Sequence, residues 1–240
     1  MIGRILLAAI AAGFVAGIFV SGVQMLRVTP LIIAAEAFES GGTQEAHSHD
    51  HSTTDAAKVE ADGHSHDHGG EAWMPDDGIE RTAYTVLSNV LTGAGFALLL
   101  AAAITVRGRE VDWRRGAIWG AGGYLAFSLL PAFGLPPELP GMYAADLVDR
   151  QIWWLATAAA TIVGLMLIVF SDKLPLALAG TAILIAPHFV GAPHPEGFGG
   201  GVPAEMVAQF VAASLVTTCL FWLVLGALTG HLLGRANAAA

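Results

Sequence analysis

The sequence predicts an all-α membrane protein: a polytopic bundle of transmembrane helices, broken once by a disordered histidine-rich loop on the periplasmic side. Three observations carry this. Of 240 residues, 55% are hydrophobic and 13% are charged, whereas a soluble domain is about 25% charged. Several apolar runs approach or exceed the roughly 20 residues a helix needs to cross the hydrocarbon core. One polar stretch of Gly, Ser, Thr, Asp, Glu and His interrupts them between Glu39 and Asp77. It cannot bury enough apolar surface to fold alone, so it reads as disordered without metal.

Six apolar segments follow in order: Ile5 to Leu26, continuing through Pro30 to Phe38; Thr82 to Val106; Gly116 to Pro131; Ile152 to Phe170; Leu174 to Val190; and Met206 to Leu233. The third and fifth are short for spanning. The chain therefore divides into a first transmembrane segment with an amphipathic extension (1–38), the His- and acid-rich loop (39–77), and a bundle of five further helices (78–240). A cleaved signal peptide over residues 1–21 is an alternative; it leaves five spans with the His-rich arm still outside. Gly13 and Gly17, Gly116 and Gly120, and Gly226 and Gly230 form G-x-x-x-G pairs, which let helices approach closely. They are expected to pack within the bundle rather than to make a dimer face. The single cysteine, Cys219, excludes an intramolecular disulfide and reads as a packing residue.

Lysine and arginine in short loops set orientation. Arg107, Arg109, Arg114 and Arg115 join the second and third segments, so that loop is expected in the cytoplasm. Counting outward, both termini are cytoplasmic and the His-rich loop is periplasmic, in a bacterial inner membrane. The net charge of −9 excludes a nucleic-acid binder, which needs a basic face. Most of the acids fall on the outer side instead, where they attract cations.

The loop carries the metal chemistry. His47, His49 and His51 alternate with small or acidic residues, and so do His64, His66 and His68. In an extended chain, residues i and i+2 point to one side. Two or three imidazoles can then converge on one ion, with Asp50 or Asp67 supplying an oxygen. Neutral imidazole suits zinc, copper, iron and nickel, and cobalt by the same borderline character. The pattern selects divalent transition metals without choosing among them. Within the bundle, His188, His194 and Glu205 are the best ligand candidates. Prolines at 187, 193 and 195 interrupt the helix there, as expected where irregular backbone lines a cavity. His231, near the inner face, reads as interfacial. The Pro-rich stretch from Phe133 to Met142 reads as a rigid outer cap. No P-loop, H-E-x-x-H or G-x-S-x-G motif is present, so the chain does not read as an enzyme.

Several stretches together resemble one family: MIGRILLAAIAAGFVAGIFVSGVQ at the start, WMPDDGIERTAYTVLSNVLTGAGFALLLAAA from Trp73, VDWRRGAIWGAGGYLAFSLLPAFGLPPELPGM from Val111, RQIWWLATA from Arg150, APHFVGAPHPEG from Ala186 and PAEMVAQFVAASL from Pro203. The chain resembles the CbtA family of predicted cobalt transporter subunits. That resemblance implies cobalt supply for cobalamin synthesis and a small single-span, His-rich partner, CbtB. It implies five spans where the apolar segments number six, and it carries no ligand set.

The functional expectation is a subunit of a cobalt-like divalent metal importer. The outer loop captures the ion and the helix bundle passes it inward. No cofactor is permanently bound; the metal is cargo, Co2+ first, with Ni2+ or Zn2+ as alternatives. The bilayer and the small His-rich subunit are the expected partners. A membrane-anchored metal buffer or sensor without translocation is the alternative reading.

Overall fold

A computed structural model describes residues 2–41, 75–76, 78–108, 110–195, 197 and 200–238. The described residues form helices and connecting loops with no strand, apart from one isolated antiparallel bridge between Met142 and Gly200. The helices are α1 (Ile2–Arg27), α2 (Thr29–Gly41), α3 (Ile79–Arg107), α4 (Trp113–Tyr124), α5 (Leu130–Ala132), α6 (Leu147–Phe170), α7 (Leu174–Val190) and α8 (Ala204–Ala238). A π turn at Leu125–Leu129 runs without a break between α4 and α5. Four of the helices, α1, α3, α6 and α8, are long and apolar enough to cross a membrane. The remaining apolar segments are the α4–π–α5 run and the 17-residue α7.

Local chemistry sets the boundaries. The first apolar segment, continuous in sequence, is two helices. α1 ends at Arg27, and α2 restarts at Thr29 with Pro30 in its first turn, where proline's missing N–H costs nothing. Gly108 closes α3 in the left-handed region (φ 67°), its N–H donating to the Thr105 carbonyl at 3.0 Å. Asp112 caps α4 by accepting from the Arg115 N–H at 2.8 Å, and Asp146 caps α6 by accepting from the Val148 and Asp149 N–H groups.

Packing is built from three close helix pairs: α1 with α3, α4 with α8, and α6 with α7. In lipid there is no hydrophobic drive between helices, so backbone approach at small residues supplies the attraction. A Cβ on Gly13 would lie 2.4 Å from the Ala94 backbone, and one on Gly17 2.6 Å from Val90. A Cβ on Gly116 would meet the Gly226 carbonyl at 2.3 Å, and one on Gly120 the Trp222 carbonyl at 2.1 Å. The G-x-x-x-G glycines thus pack inside the bundle as expected, and Gly116 and Gly120 face Gly226 and Gly230 directly. Gly164 and Gly180 make the equivalent contact between α6 and α7.

α8 also packs along α1, so α1, α3, α4 and α8 form one group. Its core contains Ala12, Ala16, Ala97, Trp222 and Leu225. The α6–α7 pair meets this group mainly through the π turn and α5. Aromatic contacts mark that seam: Phe127 stacks on Trp222 at 5.7 Å and tilts against Trp154 at 6.0 Å. At the far end of α6, Phe170 lies 5.9 Å from Trp119, with the Arg107 guanidinium 4.8 Å over its ring.

The long helices α1, α3, α6 and α8 run between the same two ends. One end holds the α3–α4 connection, the α6–α7 connection and the C-terminal part of α8; Gly230 and Gly234 there abut the Asp112 and Val111 carbonyls. At the other end Leu139, from the Pro-rich stretch, packs with Val28, Ala35 and Phe210, tying that stretch to α2 and α8.

The glycine contacts make a direct prediction. Gly120→Ala should destabilise the protein by roughly 1–3 kcal/mol through overpacking. Gly95→Ala and Gly122→Ala, where nothing lies within 4 Å of an added Cβ, should be neutral or mildly stabilising. Thermal unfolding in detergent distinguishes these outcomes.

Candidate metal site

The two ends of the bundle differ in charge. Arg107, Arg114, Arg115, Lys173 and Arg235 lie at or next to the helix ends of the first, outnumbering Glu110, Asp112 and Asp172 there. The N-terminal part of α1, with Arg4, belongs there too, because α1 runs antiparallel to α3: Gly13 meets Gly93 and Ala94, and Gly17 meets Val90. The second end carries Glu36, Glu80, Glu138, Asp146, Asp149 and Glu205, together with Arg27, Arg81 and Arg150. Two of these arginines meet carboxylates. Arg81 on α3 donates to Glu36 on α2, and the Arg150 Nη2 of α6 sits 2.8 Å from Glu138 Oε2. Beneath them Asn89 Nδ2 donates to Ser21 Oγ (3.0 Å) and Gln24 Oε1 (2.6 Å), a polar clasp between α1 and α3.

The loop ligands His47, His49, Asp50, His51, His64, His66, Asp67 and His68 lie outside the described residues. The helices that flank them, α2 and α3, begin and end that gap at the acidic end. The three bundle candidates share this end but are held differently. His188 sits in the last turn of α7, edge-on to Trp153 (5.9 Å between centroids) and to Phe133 (6.2 Å). Its Nε2 is buried without a hydrogen-bond partner, as are Trp153 Nε1 and Thr157 Oγ1 on the facing helix. His194 is exposed in the loop after α7. Glu205 is exposed in the first turn of α8 and accepts from Gln209 Nε2 at 3.3 Å. Among the described residues no three His, Cys, Asp or Glu side chains converge closely enough to hold a metal ion. His231 is exposed at the basic end.

A cavity of about 600 Å3 opens between the π turn, the Pro-rich stretch, α6 and α8. Its polar lining is Ser128, Glu138, Arg150, Gln151, Ser214 and Thr218. The π turn shapes one wall, where Ser128 accepts from Trp222 Nε1 at 3.2 Å. π turns inside helices recur at functional sites. The meeting of Arg150 and Gln151 with Glu138 required the fold.

Among the described residues, a helical bundle with four helices long and apolar enough to cross a membrane defines a polytopic membrane protein. The chain belongs to the CbtA family: the model for that family, described as probable cobalt transporter subunit, matches residues 2–234. It is a subunit by that description, so partners are implied. No curated protein and no solved structure matches the chain.

The orphaned imidazole at position 188 is testable on stability alone. An unsatisfied buried polar atom costs about 1–3 kcal/mol, and an apolar replacement of similar size removes that cost. His188→Leu should therefore leave the melting temperature unchanged or raise it, whereas a loss of several degrees would show that Nε2 is satisfied in the membrane.

Proposed function

We propose that this protein is the membrane subunit of a divalent metal importer, with Co2+ as cargo. The observation that carries the reading is the sorting of charge. Cationic side chains that favour the cytoplasm dominate one end, and carboxylates gather at the end where the His-rich segment leaves and re-enters the bundle. Six spans fit this arrangement. The 20 residues from Trp113 to Ala132 cover about 30 Å and the 17 of α7 about 26 Å at 1.5 Å per residue. Both runs pass from one end of the bundle to the other, as the four longer helices do. With six spans the termini are cytoplasmic and the His-rich loop is periplasmic in the inner membrane, where nutrient ions arrive.

In this reading the imidazoles of His47, His49, His51, His64, His66 and His68, with Asp50 and Asp67, capture the ion. The surrounding acids extend their attraction over roughly 8 Å at physiological salt. His188, His194 and Glu205 receive it at the mouth of the bundle. The unpartnered Nε2 of His188 supports a transient polar guest there. The chain carries no P-loop, so the driving force comes from another subunit or from an ion gradient. A small single-span His-rich subunit of the CbtB type is the proposed partner.

Uptake of radiolabelled Co2+ by cells with and without this protein and its partner tests import. Replacing the six loop histidines with alanine should raise the half-saturating Co2+ concentration by about tenfold, a loss of about 1.4 kcal/mol in capture, and leave uptake at saturating Co2+ intact. Equal uptake with and without the protein, alongside loss of Co2+ binding in the alanine variant, would replace import with buffering or sensing. Orientation has its own test. Protease added to intact spheroplasts should cut within residues 42–74, and cleavage that needs membrane rupture would place the segment in the cytosol and overturn capture from outside.

A further inference from the structure

The cavity at the seam between the two helix groups is amphipathic along its length. Glu138, from the Pro-rich stretch, and Arg150, in the first turn of α6, pair at 2.8 Å, their side chains 24% and 29% exposed. Both line the cavity and form its charged end. One helical turn further along the same face of α6, Trp154 packs against Phe127 of the π turn. From that level the walls are mainly apolar, Leu155 and Leu215 among them, with three scattered hydroxyls. α6 and α8 both line the cavity, yet they are not one of the close helix pairs of the bundle. The cavity thus lies in a gap between two helices able to cross the membrane.

An empty apolar space costs its lining atoms their dispersion contacts, and water needs polar partners that apolar walls do not offer. The charged end has bonding capacity to spare. The pair joins one guanidinium nitrogen to one carboxylate oxygen, whereas a guanidinium carries five N–H donors and a carboxylate two oxygens. The occupant that fits carries a positive group beside a negative one at the head of an apolar chain. We propose that the cavity binds a zwitterionic aminophospholipid, phosphatidylethanolamine, from the leaflet at the acidic end of the bundle. Its phosphate meets Arg150, its primary ammonium meets the second oxygen of Glu138, and one acyl chain lies along the apolar walls between α6 and α8. The Glu138–Arg150 pair stays intact. The headgroup closes it into a ring of four alternating charges, each joined to its neighbours by charge-assisted hydrogen bonds.

The headgroup sets the selectivity. Bilayer hydrocarbon solvates an acyl chain as well as apolar side chains do, so the walls admit a chain without choosing it. Phosphatidylglycerol offers Arg150 the same phosphate but brings no cation, and so leaves its negative charge facing Glu138. Phosphatidylcholine has a quaternary ammonium with no N–H to donate to Glu138. Only a headgroup with both a phosphate and a primary ammonium answers both side chains. A lipid seated there joins α6 to α8 where the two helices pack little on each other.

Trp154 lines the cavity and serves as a local reporter, since phospholipids brominated on an acyl chain quench indole fluorescence at close range. The purified full-length protein in detergent is titrated with brominated phosphatidylethanolamine, phosphatidylglycerol and phosphatidylcholine, and the signal of the Trp154→Phe variant is subtracted. A saturable Trp154-dependent component is expected, with a midpoint for phosphatidylethanolamine about tenfold below those of the other two lipids. Arg150→Gln should raise that midpoint by about tenfold. Glu138→Gln should abolish the advantage over phosphatidylglycerol. If either single variant fails to fold, the double variant Glu138→Gln/Arg150→Gln, which leaves no unpaired charge, should bind the three lipids alike. No Trp154-dependent component, the outcome if a partner's helix fills the gap, overturns the proposal. One midpoint shared by the three lipids on the wild type means unselective lipid contact and overturns it too, as does tightest binding of phosphatidylglycerol, which means phosphate recognition alone.

Discussion

Close backbone contact at glycine is the interaction on which this bundle depends. In a bilayer, apolar side chains gain nothing by leaving lipid for another helix, so association rests on dispersion between surfaces that fit. Gly13, Gly17 and Gly93 bring α1 and α3 together, Gly116, Gly120, Gly226 and Gly230 bring α4 and α8 together, and Gly164 and Gly180 do the same for α6 and α7. A single methyl group at any of these positions would overlap backbone atoms. The large apolar residues on the other faces, such as Phe14 and Leu91, are left exposed, as a lipid-facing surface requires.

The same contacts determine where the bundle is loose. Tight pairing uses up the small-residue faces, and what remains between the two helix groups is a seam of larger side chains. Phe127, Trp154 and Trp222 fill part of it, and the cavity is the part they leave. The π turn lies on this seam, with one extra residue in its helical turn redirecting Phe127 and Ser128. The thin contact between the groups and the cavity beside the Glu138–Arg150 pair therefore share one structural origin.

Polar groups follow a second rule, imposed by the low dielectric. Inside the bundle most are satisfied by a neighbour: Asn89 by Ser21 and Gln24, Trp222 by Ser128, and the Tyr124 hydroxyl by the Leu215 carbonyl. The orphaned atoms of His188, Trp153 and Thr157 stand out against that background because they share one helix interface near the acidic end.

Much of this was legible in the residues. Hydropathy is a local sum, so each apolar run became helical close to its expected limits, the first as two helices and the third with a π turn inside it, and the family resemblance held over residues 2–234. The arginines between α3 and α4 and most of the acids separated by end because short loops inherit the side to which their helices deliver them. The break at Val28 was less visible, since hydropathy does not register the loss of helical geometry before Pro30. The rest depended on tertiary structure. Which glycine faced which, the π turn, and the meeting of Glu138 with Arg150 all arise from the mutual fit of surfaces. A pair close in sequence, Gly164 with Gly180, and a distant one, Gly116 with Gly230, are alike in this. Composition and spacing report what a segment prefers alone; only packing decides which segments touch and where they leave space.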